Sequence, residues 1–556
     1  MIPFDIETKP LFLSDFQLFL LKKPDDIYFV TFRVIFPNEK IWDICYPFPK
    51  SDLLKLNTNL FERYLVALVN NIISTFGGLD LQIYYDKSCA DQNNLFLNLD
   101  NVFQISESTR TSYGSFINYS DRINRHFNKP NFKFSYYHFD EKISLKENEK
   151  FSIRELEAPS IKISNSEITD LPNNQIWISL DVGGNSIKGV LYQNGNILSM
   201  KDYSWFPARM TEADEFNGGI ENVIRFLLKE IGFENDLSKK VDAMIIGYPD
   251  IIIDNKIIGG ETYKHLGIRT KYCNNYEQEY RKLYSLDELL QKYLKNDGKL
   301  IILNDGNVAA LIETIERILL PDEYGKDFLT MVHTIGTEMG TGFLSSIPIV
   351  QKIPLECYQY VIDLGMQNYS KYVPSDIRSI NNTNSEISGT VQKYVTQMGL
   401  FRLSITDMLE NDPNSFQQLI TEGFIEYRGN ELRVVTDPED MRSKLTYFLT
   451  DEMLHKGNKS VRRALLQMGH ALAATIDQVK MIIPEMGTER VLSGGIVSDT
   501  IAYNTLKEGL HSVKPTYNIS RLGDKPSKLP LVQSLPPNKR SFQIAVGELY
   551  VLNILT

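Results

Sequence analysis

Over Ile27–Phe36 and Lys40–Tyr46 the apolar positions are dense and β-branched or aromatic, and Pro37-Asn38 interrupts them. That pattern predicts two strands joined by a turn. Over Leu53–Phe76 the rhythm changes: Leu60, Tyr64, Leu68, Ile72 and Phe76 recur every four residues, which puts them on one face of a helix. Gly77-Gly78 stops that helix, and Leu79–Tyr85 predicts another strand. Leu11–Leu21 is apolar but carries Ser14, Asp15 and Gln17 and has no basic segment before it. It predicts an amphipathic core helix rather than a secretion signal. Residues 1–139 therefore predict an α+β domain, expected to fold separately, with no catalytic motif.

Over residues 140–174 the apolar rhythm lapses into charged and polar runs, DEKISLKENEK and SNSEITDLPNNQ, which predict a linker. At Ile176 the pattern sharpens again. Ile176–Asp181 and Ile187–Tyr192 predict strands around the Gly183-Gly184 turn, and Asn194-Gly195 predicts a hairpin into a third strand, Asn196–Met200. A helix over Gly219–Ile231, a strand over Val241–Gly247, a loop region, a helix over Leu286–Leu294, a strand over Lys299–Asn304 and a helix over Asn307–Leu319 follow. Then strand, Gly-rich turn and strand recur over Phe328–Ile335, Gly336–Thr341 and Gly342–Ile347, which suggests an internal duplication. A long helix, Ser460–Ile483, ends at Pro484. The expectation is an α/β core with lobe 1 at 175–322 and lobe 2 at 323–556, each offering a phosphate-binding turn to a shared cleft.

Composition changes this picture little. The 556 residues are 42% hydrophobic and 23% charged, an ordinary globular balance too long for one core. A net charge of −11 argues against nucleic-acid binding, which needs a basic face. No run approaches the roughly 18 apolar residues of a membrane span. Four scattered cysteines without a C-x-x-C pair suit a reducing compartment and predict no zinc site.

Four motifs stand at the ends of apolar strands. Asp181-Val182-Gly183-Gly184-Asn185-Ser186-Ile187-Lys188 puts an acid where it can hold Mg²⁺ through water, and glycines where backbone N–H groups can approach phosphate oxygens. Asn304-Asp305-Gly306-Asn307 places Asp305 at a helix start, where it can accept the proton of an attacking hydroxyl while Asn304 bonds a neighbouring one; the plainer alternative is that Asp305 only caps the helix. Gly336-Thr337-Glu338-Met339-Gly340-Thr341-Gly342 can cradle β- and γ-phosphates, and Ser493-Gly494-Gly495 can let an adenine ring lie on backbone; for these turns and for Gly183-Gly184 the plainer alternative is turn geometry alone.

In this order the motifs resemble the repressor–ORF–kinase (ROK) family of sugar kinases, within the actin-like ATPase superfamily. DVGGNSIKGVL is similar to the family's D-x-G-G-T-x-x-K, NDGNVAALIE to its N-D-A-N-x-A-A-L-x-E, and GTEMGTGFL and VLSGGIVS to its second phosphate and adenosine motifs. The resemblance covers roughly Gln175–Thr556 and implies a two-lobed ribonuclease H-like fold. It implies Asp305 as catalytic base, and Gly183, Gly184, Asn185, Lys188, Gly336, Thr337, Gly340, Gly494 and Gly495 as nucleotide-binding. It further implies Asn304, Asp305 and Glu356 as sugar-binding, Asp181 as metal-holding, ATP and Mg²⁺ as cofactors, and a cytoplasmic enzyme, with a homodimer left open. The chain departs from the pattern at Asn185 (Thr in the family), Asp250 (the last Gly of G-x-P-G) and Gln359 (near the His after the sugar-binding Glu). It lacks the N-L-P-G-W stretch and the zinc-binding cysteines. Two alternatives stand beside a kinase: a sugar-sensing transcriptional regulator, which would need a basic winged helix that residues 1–139 do not suggest, and a domain that binds sugar or nucleotide without transfer.

Overall fold

The computed structural model describes residues 4–55, 57–86, 93–138, 153, 165–233, 240–320 and 328–556. Of the predicted linker, 140–152 and 154–164 lie outside the described residues, and Asn165–Thr169 is a short helix. The chain forms two compact units: unit 1 is Met1–Ser152, Ile335–Met339 and Leu355–Ile519, and unit 2 is Ile153–Thr334, Gly340–Pro354 and Ser520–Thr556. Among the described residues no helix is long and apolar enough to cross a membrane.

Unit 1 begins with helix α1 (Leu13–Leu21), strands β1 (Ile27–Ile35) and β2 (Ile41–Pro49), helix α2 (Thr58–Phe76), and strands β3 (Asp80–Tyr85) and β4 (Lys133–His138). The sheet order is β2-β1-β3-β4, antiparallel except for β3–β4. Asn57 caps α2 by accepting from the Leu60 amide, and Gly77 ends it at φ 62°. The α+β character follows the sequence, but these residues share their unit with 355–519. The cause lies in α2. Asn70, Asn71, Ser74 and Thr75 are completely buried, and buried polar groups need partners. Asn70 Nδ2 donates to Gln359 O at 2.9 Å; Asn71 Nδ2 donates to Val361 O at 3.0 Å and its Oδ1 accepts from Val361 N at 2.8 Å. The Leu355 and Glu356 amides donate back to Thr75 O and Ser74 O. A stripe that would face solvent in a free domain is instead an internal seam.

Unit 2 is built on strands β5 (Ile176–Val182), β6 (Ser186–Gln193), β7 (Asn196–Ser204), β8 (Val241–Tyr248) and β9 (Leu294–Asn304), in the order β9-β8-β5-β6-β7. β5–β6 and β6–β7 are antiparallel, while β5–β8 and β8–β9 are parallel. A three-stranded meander extended by two parallel strands is the ribonuclease H-like arrangement expected from the sequence, and the fold class is α/β. Asn194 and Gly195 both have positive φ, 52° and 80°, as a two-residue hairpin turn requires. β5 is buried almost throughout, which suits a central strand covered on both faces. Helix α3 (Ala213–Lys229) packs Ile220, Val223 and Ile224 into the core on one face. Helix α4 (Asp305–Ile318) contributes to the core on the other.

The predicted helix Leu286–Leu294 stops at Leu290, and β9 starts at Leu294, five residues earlier than expected. The stretch read as loop holds helices at Leu266–Lys271 and Tyr276–Tyr284; the second buries only Glu279, Tyr280 and Leu283, too few for a clear apolar stripe. Strands β10 (Leu329–Ile335) and β11 (Met339–Ser345) are sheet neighbours flanking the second Gly-rich turn. Unit 1 resumes with helices α5 (Gln397–Asn411) and α6 (Lys459–Ile482), strand β12 (Glu489–Ser493) and the short helix α7 (Gly495–Ser498). The last helix, α8 (Gln543–Leu555), returns to unit 2 beside α4, where Ser179 Oγ of β5 donates to Ala545 O at 2.5 Å.

Candidate functional site

The three parallel strands of unit 2 end together, and open α/β sheets hold their ligands at such ends. Asp181 stands opposite Gly247, and Asn304 opposite Tyr248. On its other side Asp181 stands opposite Lys188, which in turn stands opposite Asp202. Residues directly opposite one another project from the same face, so Lys188 lies with Asp181, and its Nζ donates to Ser186 Oγ at 3.0 Å. Burial pushes the Asp181 carboxyl up to about 6; Lys188 opposes the rise, while Asp305 and Asp202 add to it.

Asp305 opens α4 but is not its cap. Asn304 Oδ1 accepts from the Gly306 and Asn307 amides at 2.9 and 3.1 Å, and its Nδ2 donates to Asp250 O at 2.9 Å. Asp305 Oδ1 also accepts from the Gly306 amide, at 2.8 Å. The first turn of α4 lies backbone to backbone against the start of β11. A Cβ on Gly306 would fall 2.3 Å from Thr341 N, and one on Gly342 would fall 2.2 Å from Gly306 O. A Cβ on Gly340 would stand 3.0 Å from Asp305 Oδ1. Glycine at these positions brings the segment Gly340–Gly342 onto the Asp305 carboxylate.

The first Gly-rich turn is pinned from below. Gly183 N donates to Ser186 O at 2.9 Å, and Trp205 donates its indole N–H to Gly183 O and its amide to Asn185 O, at 3.0 and 3.2 Å. Gly183 and Gly184 are partly exposed, and the Asn185 side chain is exposed. Asp250, the departure from G-x-P-G, is accommodated locally. Its carboxylate accepts from the Ile251 and Gly260 amides, both at 2.7 Å, and lies 3.5 Å from His265 Nδ1, while His265 Nε2 meets the Tyr248 hydroxyl at 3.1 Å. A Cβ on Gly259 would overlap Asp250 Oδ1 at 1.6 Å. Gly259 leaves the space that this carboxylate occupies.

In unit 1 the turn after β10 is held by the head of α5. Gln397 N donates to Gly336 O at 2.9 Å, Thr337 Oγ1 donates to Gln397 Oε1 at 3.1 Å, and Asn384 Nδ2 donates to Glu338 Oε1. Gly494 has φ 106°, and a Cβ there would lie 2.2 Å from Ile335 O, so the two Gly turns of this unit are adjacent. Gly495, by contrast, faces open space. Glu356 precedes the short turn Cys357–Gln359 on the segment bonded to α2. Gln359 Oε1 accepts from Asn382 Nδ2 and Ser385 Oγ, both at 3.0 Å. A cavity of about 710 Å³ in unit 1, bordered by Asp407, Asp412, Lys459 and Arg463, involves none of these residues.

The structure thus brings Asp181, Lys188, Asn304, Asp305 and Gly340 together in unit 2, and Gly336, Thr337 and Gly494 together in unit 1. One residue escaped the sequence reading: Glu548 of α8, fully buried, whose carboxyl is pushed well up by burial and then by the charge of Asp181. The available signal was a lone acid in the otherwise apolar QIAVGELYVLNIL.

No family model and no curated protein matches the chain. Solved structures do. A ROK family glucokinase from Streptomyces griseus in complex with glucose and AMPPNP is 13% identical, with 68% of this chain and 98% of that chain covered and a TM-score of 0.40. A ROK hexokinase from Thermus thermophilus is 14% identical over 68% and 98%, with a TM-score of 0.36. A glucokinase from Balamuthia mandrillaris in complex with glucose is 11% identical over 68% and 93%, with a TM-score of 0.38. Overlaps at this level do not assign a reaction, which must be argued from the residues.

Proposed function

We propose that this chain is an ATP-dependent sugar kinase whose core runs from about residue 175 to 556, with Asp305 as its general base. The observation that carries the reading is the division of labour at the head of α4: Asn304 takes the capping bonds, and the Asp305 carboxylate lies at the strand ends against Gly340. A residue needed only to cap the helix would be redundant there. In this reading Asp305 accepts the proton of a sugar hydroxyl as that oxygen attacks the γ-phosphorus; the bond to the β-γ bridging oxygen breaks, and ADP leaves. Such transfer is loose, so positioning and charge stabilisation dominate. Gly183, Gly184 and Asn185 hold phosphate oxygens, as do Gly336 and Thr337 by their motif; Gly494 and Gly495 take the adenosine, and Asn304 and Glu356 the sugar. Lys188, beside Asp181, is a cation for the same phosphates. Mg²⁺, when bound with the nucleotide, neutralises phosphate charge, and Asp181 is the residue that would hold it.

The test is ADP release measured against a panel of hexoses, amino sugars and polyols, with the wild type and Asp305→Asn run in parallel. At least one sugar should stimulate release in the wild type and not in the variant. If no sugar stimulates release, a domain that binds without transfer becomes the better reading.

A further inference from the structure

Glu548 is a single acid in the largely apolar helix α8. It is completely buried, and neither carboxyl oxygen meets a partner in hydrogen-bonding geometry, although the Gly247 amide lies alongside. Taking a carboxyl out of water without a donor is strongly unfavourable, so such a group calls for an explanation beyond packing.

Its position is set by Gly247. A Cβ there would lie 2.5 Å from Glu548 Oε1, so the missing side chain makes the space the carboxyl occupies. Gly247 stands directly opposite Asp181 in the β5–β8 pair. Opposed residues share a face, and neighbouring strands run about 4.8 Å apart. Ser179, two residues before Asp181 and on the same face, ties α8 down through Ala545 O at 2.5 Å. Glu548 therefore reaches the sheet on the side from which Asp181 projects. Asp305 and Asp202 also act on Asp181 with like charge, and Lys188 opposes them from its bond to Ser186. Carboxyl groups outnumber the ammonium here, and either protons or a bound cation would compensate them.

We propose that Asp181 and Glu548 together form a carboxylate site for a divalent cation, one that loads without nucleotide. The inference rests on the reading of Asp181 as metal-holding and adds to it a second protein ligand. An oxygen-only donor set selects hard cations of the Mg²⁺ and Mn²⁺ class.

Mn²⁺ titrated into the full-length protein, with neither nucleotide nor sugar present, tests this by calorimetry or electron paramagnetic resonance. The wild type should bind Mn²⁺, and Glu548→Gln and Asp181→Asn should each bind at least tenfold more weakly. Mn²⁺ should also raise the Tm of the wild type more than that of Glu548→Gln, because only a ligand of the folded state stabilises it. If Glu548→Gln does not fold, Gly247→Ala substitutes for it: the added methyl displaces the carboxyl end and should weaken binding in the same way. Absence of Mn²⁺ binding in the wild type overturns the proposal, as does wild-type affinity in the variants. A surface group in unit 1, Asp451, His455 and Asp499, also brings three ligand atoms within 4.8 Å of one another. Loss of binding in His455→Ala and not in Glu548→Gln would likewise overturn it. Failure of the kinase reading would show in ADP release, which this titration does not use.

Discussion

Asp363 in unit 1 and Glu548 in unit 2 are both completely buried acids, and the protein treats them in opposite ways. Asp363 is saturated with donors. Its Oδ1 accepts from the Leu11 and Gly365 amides, each at 2.7 Å, and its Oδ2 accepts from the Tyr394 hydroxyl. Phe12 forms a bridge to the same residue, so Asp363 fastens the start of the chain to a segment some 350 positions later. Glu548 receives no such set of donors. A buried acid surrounded by donors is a structural clasp, whereas one without such a set, beside Asp181, fits the proposed cation site. Burial alone does not separate the two; the inventory of partners does.

The largest expected effect tests the functional side of this contrast. Asp305→Asn should lower turnover by about 10²–10⁴-fold, the usual worth of a positioned base. Because Asn304 already caps α4, thermal unfolding of the variant should stay close to wild type. Steady-state ADP release and a melting curve on one preparation decide it; a large fall in Tm would move Asp305 to the structural side.

Asp363→Ala should do the reverse. It strands two amides and a hydroxyl, each costing about 1–3 kcal/mol when buried unpaired, so a loss of about 3–5 kcal/mol is expected in denaturant unfolding. Asp363→Asn keeps an acceptor for the two amides and should cost less. Removing residues 1–139 would strip away Leu11, Asn70 and Asn71 together, and is expected to give an aggregating protein rather than a free core.

Lys393 sharpens the comparison, being a buried cation with one bond, from Nζ to Pro374 O at 2.8 Å. Burial lowers its pKa to about 7, the charge of Arg402 adds to the fall, and Asp376 opposes it. With the folded value below the unfolded one, the unfolded chain binds more protons between them. Wild-type stability should therefore rise as pH goes from about 7 toward the ordinary lysine value near 10.5, and the penalty should be full below that window. Lys393→Met should be the more stable protein at pH 7, by on the order of a few kcal/mol less one hydrogen bond, and the advantage should fade by about pH 10.5. Urea unfolding of both proteins across that range measures the difference.

These contrasts were unevenly legible in the sequence. The strand ends of unit 2 could be read because each acid stands beside glycines within a few positions, and such spacing survives in one dimension. The clasp at Asp363 could not, since two of its three partners, Leu11 and Tyr394, lie 352 and 31 positions away. The neighbouring seam on α2 did leave a local trace, in Asn70, Asn71, Ser74 and Thr75 of the helix's C-terminal half. Those four polar residues form a buried seam. Glu548 was hidden for another reason: a single acid in a short apolar helix carries no period, and only the register of Gly247 against Asp181 gives it meaning.

The smallest effect tests whether the N-terminal sheet is joined to unit 1 by specific bonds or by apolar packing alone. Trp42 on β2 donates its indole N–H to Ile482 O at 2.8 Å, at the last turn of α6, while its ring leans on Phe76 at a centroid distance of 5.5 Å. The carbonyl it serves belongs to a helix C-terminus, where carbonyls lack partners within the helix. Trp42→Phe keeps an aromatic ring against Phe76 and removes the donor. It also removes some ring area, so Trp42→Leu serves as a control that loses the aromatic contact as well. If the hydrogen bond matters, Trp42→Phe should cost about 1 kcal/mol, the net worth of one such bond plus part of the penalty for a stranded carbonyl. That cost should appear in the main unfolding transition, because β2 and α6 belong to one compact unit. A separate early transition confined to residues 1–139, with the rest unfolding as in wild type, would show instead that the N-terminal sheet is an independent domain and that the seam on α2 is only an adhesive surface.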